Sequence, residues 1–418
     1  MQPTSNARRL VAAAGLVAAV SLALTACASG GSDKASDSST TSTASSAAPV
    51  KNGASQVAIT LTGGSGDSCA VDHSSAKAGP VTFTVTNKSS TAITEVELQS
   101  DSRILGEKEN LAPGLDPVSF TVTLGGGSYQ LYCPGADTET QKFTVTGKAA
   151  AQPSGGVQAV LADGTTGYAS YVDGVVDGMV TAVANLNTAV QAGNLADAKA
   201  KYALARPFYE RIESDVDGFV LPGFDPTDNH GNLDYLIDMR ASNLDPAVGW
   251  HGFHAIEKDL YQGGAITDST KKLSTELVDN TGKLDGLVKG LSYKPEDLAN
   301  GAADLLEEVQ SNKVSGEEED FSHIDLVDFA GNVEGAQQAF AFLEPGMKTI
   351  DPDLTAQVNT QFTNVLTLLD GYRDASQPGG YKVYTAALKA SDSAKLSQAV
   401  QALQVPLSKI AEKVATAG

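Results

Sequence analysis

The chain has 418 residues, 41% of them hydrophobic, enough for about two or three domains with real cores. Its formal net charge is −21. Phosphate backbones need a basic surface, so nucleic acid is excluded as a partner, whereas an exported soluble protein or one that attracts cations fits.

The chain opens on "MQPTSNARRL", a basic start carrying Arg8 and Arg9. "VAAAGLVAAVSLAL" follows, apolar but too short and too rich in small residues for a membrane span. Residues 1–26 read as a signal peptide. It closes on Leu24-Thr25-Ala26-Cys27, which resembles a bacterial lipobox. That resemblance implies cleavage before Cys27 and lipid on its thiol; the alternative is an ordinary signal peptide with an incidental cysteine. Residues 27–53, rich in Ser, Thr, Ala and Gly, lack the apolar surface to fold and read as a tether. No later segment is apolar enough to span a membrane. The expected place is outside the cytoplasmic membrane (or periplasmic), held to it only by lipid. With Cys27 set aside, Cys69 and Cys133 remain. Outside the cytoplasm two such cysteines pair, or they serve as soft metal ligands.

Residues 54–147 alternate apolar and polar side chains. In "GPVTFTVTNKSS", Val81, Phe83 and Val85 fall on one face and Thr82, Thr84 and Thr86 on the other. Turn signals separate the runs at Asn87-Lys88-Ser89-Ser90, Pro113-Gly114 and Gly125-Gly126-Gly127. Short strands at this spacing predict an all-β sandwich. Residues 148–156 read as a linker. From 157 to 418 the period is helical. One long amphipathic helix, read from Tyr168, ends at Gly193. The next starts on an Asn194 cap and is expected to break or kink near Pro207. A later helix begins at Pro295, where a first turn tolerates proline. The whole reads as an all-α domain, two stacked bundles.

Within it lies "GWHGFHAIEKDLY", Gly249 to Tyr261. His254 and Glu257 are three apart, so on a helix they share a face and can reach one ion. Imidazole plus carboxylate suits zinc or iron better than calcium. Each step of three turns the direction by about 60°, so His251 lies about 120° from Glu257 and leaves the set. The order is not HExxH, so no base sits between paired histidines. Spacing alone favours a surface pair or a satisfied core pair.

Three stretches add to it. "GFHAIEKDLY" resembles the GxHxxE signature of the imelysin-like family, once classed as metallopeptidases. "ARPFYERIESD" resembles that family's Arg-x-x-Tyr-Glu-x-Ile-Glu helix. "SNKVSGEEEDFSHIDLVDFAGNVEGAQ" resembles a stretch of one branch, the EfeO components of EfeUOB iron-uptake systems. The resemblance runs from about residue 55 to 418. It implies a multidomain chain, a cupredoxin-like β-sandwich followed by imelysin-like helical bundles.

It also implies ligands: His254 and Glu257 directly, Glu210 and Glu213 from the "YERIE" helix, and Asp238 in "IDMRA". Carboxylates gathered in a bundle repel one another without a cation, and iron supplies it. The other reading of Glu210 and Glu213 is a solvated face paired with Arg206 and Arg211. The run "GEEED", Gly316 to Asp320, reads as a solvated loop. His323 and Asp325 are read as the start of a helix capped by Ser322 or Asp320, with no site.

The β-domain departs from the blue-copper type, which uses two His, one Cys and an axial Met. His73 is its sole histidine and residues 54–147 contain no Met. The resemblance carries over Cys69, Cys133, Glu95 or Glu97, and Glu107 as ligands of copper, zinc or a second iron; a Cys69–Cys133 disulfide is the alternative. Strand alternation puts Glu95 and Glu97 on one face. The implied function is capture of iron, ferrous or ferric, and its transfer to an EfeU-like permease, with an EfeB-like haem peroxidase as second partner. The chain is then no enzyme. One alternative is a metallopeptidase, though HxxE dedicates no general base; another is a structural lipoprotein whose histidines are incidental.

Overall fold

The alternating stretch folds into strands β1 (Val50–Lys51), β2 (Ala54–Thr62), β3 (Ser68–Val71), β4 (Ser75–Lys77) and β5 (Gly79–Asn87). They are followed by β6 (Val96–Ser100), β7 (Arg103–Lys108), β8 (Val118–Leu124), β9 (Gly127–Tyr132) and β10 (Thr140–Thr146). The computed structural model describes residues 47–100, 103–148, 155–216, 218–225 and 227–417; the signal peptide, Cys27 and most of the expected tether lie outside them. One sheet runs β1-β2-β5-β8, with β3 also on β2, and the other runs β4-β10-β9-β6-β7. Between the sheets, Phe83 stacks on Phe120 at 5.1 Å and meets Phe143 edge-on at 5.2 Å.

β1 lies inside the stretch expected to be tether. Asn52-Gly53, both at positive φ (53° and 89°), makes a two-residue turn that pairs Val50 with Ser55. Asn-Gly between extended runs is a strong hairpin signal, and it outweighs the polar composition upstream.

Cys69 on β3 is disulfide-bonded to Cys133, just after β9, tying one sheet to the other. A disulfide sulfur is not a thiolate donor, so Cys69 and Cys133 leave the metal-ligand set. Reduction should cost the fold about 2–4 kcal/mol, since the bridge closes a long loop. Urea unfolding with and without dithiothreitol reads this; an unchanged midpoint would dismiss the bridge as a stabiliser.

The threonine face of β5 is covered rather than solvated. Thr82 and Thr121 are buried and share a 2.8 Å hydrogen bond. The helical unit covers this face. Asn300 Nδ2 donates to the Thr121 carbonyl at 2.7 Å, Glu296 accepts from the Thr123 amide at 3.0 Å, and Lys108 pairs with Asp304 and Glu307. Side chains thereby satisfy the open edge of β8.

The helices are α1 (Val157–Gln191), α2 (Leu195–Glu210), α3 (Glu213–Val216), α4 (Leu233–Asp238), α5 (Gly252–Glu257) and α6 (Asp268–Val288). Then come α7 (Pro295–Glu308), α8 (Asp325–Ile350), α9 (Pro352–Asp370), α10 (Ala386–Leu407) and α11 (Ile410–Thr416). Asn194 caps α2 by accepting from the Asp197 amide, and Pro295 opens α7. α2 is not broken at Pro207 but runs on to Glu210. The proline lies in the last turn, where its missing N–H removes one bond to a helix about to end. One continuous apolar core extends from Leu161 on α1 to Val414 on α11, joined through α8. No helix among the described residues is long and apolar enough to cross a membrane.

Candidate metal centre

α5 is six residues long and begins on Gly252. Gly252 has φ +77°, and a Cβ there would sit 2.1 Å from the Ile237 carbonyl oxygen. The glycine of GxHxxE is therefore what lets α5 start against the end of α4. Gly252→Ala should displace His254 and cost roughly 1–3 kcal/mol or more. Thermal unfolding with a metal titration reads both; a variant with wild-type values in each would refute the packing argument.

His254 and Glu257 point inward, 1% and 0% exposed. After Glu257 the helix widens into a π turn, Lys258–Gln262, a distortion frequent at functional sites. His254 donates from Nδ1 to Glu257 Oε2 at 3.2 Å and from Nε2 to Glu318 Oε1 at 3.2 Å. Asp238 Oδ1 lies 3.6 Å from Nε2, and Glu319 Oε1 lies 4.0 Å from Nδ1. Two overlapping ligand sets thus share His254: Asp238 with Glu318, and Glu257 with Glu319. The other oxygen of Glu257 accepts the amides of Phe321 and Ser322 at 2.8 and 2.6 Å.

Two fully buried cations hold these carboxylates, with Arg240 beside them at 3.0 Å from Glu308 and 3.1 Å from Glu318. Arg206 of α2, 0% exposed, reaches Asp238, Glu210, Glu318, Glu319 and Asp328. Lys313, at the end of a second π turn (Val309–Lys313), faces Glu210, Glu213, Glu308 and Glu318.

The electrostatics follow from burial and these neighbours. Burial would lower His254, but Asp238, Glu257 and Glu318 together push it up to about 10. Burial first, helped by the charges of Glu210 and Glu318, raises Asp238 to about 7 against the pull of Arg206 and His254. Glu319 is pushed well above the carboxylate range by burial, then by Glu257 and Asp328. Burial would raise Glu318 too; Lys313, then Arg240 and His254, overcome that and hold it well below. Without metal the centre therefore holds an imidazolium and extra protons in place of a cation. An imidazole and several carboxylates, buried and only partly neutralised, match the donor set of iron or zinc.

Comparison with known proteins agrees with the motifs. A family model described as imelysin, peptidase M75, matches residues 164–410. An Efem/EfeO family lipoprotein of Staphylococcus haemolyticus is 36% identical over 257 residues, 61% of this chain and 84% of that protein. The iron uptake system component EfeO of Escherichia coli is 32% identical over 342 residues, 81% of this chain and 84% of that protein. The chain belongs to the EfeO branch of the imelysin family.

In this EfeO-family chain, the structure gathers His254, Glu257 and Asp238 as the motifs imply. It does not bring Glu210 or Glu213 to His254. Both lie one layer back against Lys313, and Glu213 also meets Asn332 Nδ2 at 3.4 Å. Nor do they form a solvated face: Glu210 is fully buried, and Arg211 pairs instead with Glu334 at 2.8 Å. His251 turns away to Glu276 at 3.0 Å. The "GEEED" run is not a solvated loop. Glu318 and Glu319 are 2% and 0% exposed and complete the centre. Their signal was the resemblance of the surrounding stretch, together with Val314 and Ile324, apolar residues that sink both ends of the loop. α8 also lacks the expected cap. Its N-cap is Ile324; Ser322 donates to Glu319, and Asp325 accepts the Glu319 amide at 3.2 Å. Both side chains fix the loop rather than the helix.

In the β unit, Glu95, Glu107 and Glu109 come close enough to share an ion. Glu97 is buried and accepts from Gln99. Glu109 was missed because it follows the strand and turns toward Glu308 of α7. Burial first, then that neighbour, keeps its pKa well above the carboxylate range.

Proposed function

We propose that this chain is an extracytoplasmic iron-binding protein, anchored by lipid on Cys27, that captures iron at His254 and hands it to an EfeU-like permease. His254, Glu257, Asp238, Glu318 and Glu319 are the ligand set. An EfeB-like haem peroxidase is the second partner. The observation that carries the reading is the buried imidazole with a carboxylate against each ring nitrogen, in a chain whose relatives include iron uptake components. Elemental analysis of protein purified without chelator tests it. Wild type should carry or take up iron, and His254→Ala should not; equal iron in both would end the proposal.

The family model's peptidase description gives the second reading. Glu257 is the residue such a reaction would use as base, yet two backbone amides and His254 already occupy it. Metal-loaded protein should leave casein uncut.

Uptake should depend on pH. In the metal-free centre His254 keeps its proton up to about pH 10, so an ion must displace it, and affinity rises with pH. Below about pH 7 Asp238 carries a second proton, and the slope steepens. Calorimetric zinc titrations should gain roughly tenfold per unit from pH 7 to 8 and up to about a hundredfold per unit between pH 5.5 and 7; a flat profile would contradict the centre. Acidification is then one route to release.

A further inference from the structure

The centre contains a group that capture of a single ion does not require. Lys313 is 1% exposed and sends its ammonium into a cage of four carboxylates. Nζ is 3.3 Å from Glu210 Oε2, 3.5 Å from Glu213 Oε2, 3.5 Å from Glu308 Oε2 and 3.3 Å from Glu318 Oε2. The four come from α2, α3, α7 and the loop before α8, so the tertiary fold, not one helix, builds the cage. A lysine serving one carboxylate closes on it to about 2.8 Å. This one is nearly equidistant from four, at the point a cation shared among them would take. Glu210 Oε2, on a fully buried residue, makes no hydrogen bond among the described residues and faces the Lys313 ammonium in the cage.

Glu318 links the cage to the first site. Its Oε1 accepts from His254 Nε2 at 3.2 Å, while its Oε2 faces Lys313 at 3.3 Å. One carboxylate with an oxygen on each of two cation positions is the arrangement that bridges paired ions in two-metal centres.

We infer that Lys313 is a built-in cation standing at the second position of a two-cation carboxylate centre, and that it limits the helical unit to one metal ion. The inference rests on the proposed iron site at His254. The cage is all oxygen and takes a hard cation such as manganese(II), whereas the His254 side, with its imidazole, takes zinc or iron. A fixed ammonium there neutralises the cage at every stage of loading and keeps the cargo to a single, releasable ion.

The test is stoichiometry. Wild type, Lys313→Arg and Lys313→Ala are stripped with chelator and titrated with zinc chloride, then with manganese chloride. Bound metal is read by elemental analysis, and bound manganese by its electron paramagnetic resonance. Wild type and Lys313→Arg should hold one equivalent. Lys313→Ala should hold two, the second visible as manganese and lost in Lys313→Ala/Glu213→Gln. One equivalent or none in folded Lys313→Ala overturns the inference, as does a second equivalent that survives Glu213→Gln. If Lys313→Ala unfolds without metal, refolding should require zinc and manganese together; failure of the two together to restore the fold also overturns it. No binding by wild type removes the His254 site itself, whereas one equivalent in both wild type and Lys313→Ala removes only the role of Lys313.

Discussion

Replacing His254 with alanine should lower zinc or iron affinity by at least about a hundredfold, or about 2.7 kcal/mol. His254 is the sole nitrogen donor in either ligand set, and the four carboxylates around it are already engaged by Arg206, Lys313 or backbone amides. The substitution should also change the metal-free protein in a pH-dependent way. The folded-state pKa of His254 is raised from 6.5 to about 10. Its contribution to stability is therefore complete below pH 6.5 and is lost as pH rises through about 10. Wild type should exceed His254→Ala in urea most at pH 6, and the gap should close toward pH 10. A gap that widens with pH would mean the imidazole is neutral in the folded protein.

Arg206→Leu should destabilise the metal-free protein by about 3–5 kcal/mol, the usual consequence of stripping the partner from buried charge. The guanidinium is fully buried beneath Phe253, 5.1 Å from its ring, and is the common partner of five carboxylates. Without it Asp238 and Glu318, the partners that are ionised at or below neutral pH, must take up protons or repel one another. A bound cation relieves the same repulsion, so zinc should raise the melting temperature of the variant more than that of wild type. Arg206→Lys keeps the charge but not the planar fork, and should fall between the two. A loss under about 1 kcal/mol for Arg206→Leu would show that these carboxylates are already protonated in the folded chain.

The change from a two-residue to a helical period near residue 157, the Asn194 cap, the Pro295 start and the pairing of His254 with Glu257 are all local properties, and each was legible in the order of residues. So was the glycine before the histidine, although only the contact with Ile237 explains it. The misreadings share another origin. Alternation puts Thr82 opposite Val81 but cannot announce that a second unit will cover that face of the sheet. Glu318 and Glu319 looked solvated because four acidic residues in a row normally are.

Sequence alone thus determined the β-then-α order, the helix that carries HxxE, and the chemistry its side chains can offer. Tertiary structure decided which carboxylates join them. Glu318 meets His254 across 64 residues of chain, and Glu210 and Glu213, though part of a recognised motif, are turned to Lys313 instead. Periodicity reports only which face of an element is apolar. Whether a carboxylate can stay buried depends on counter-charges delivered by other elements, here Arg206, Lys313 and Arg240, and those meet it only when the helices pack.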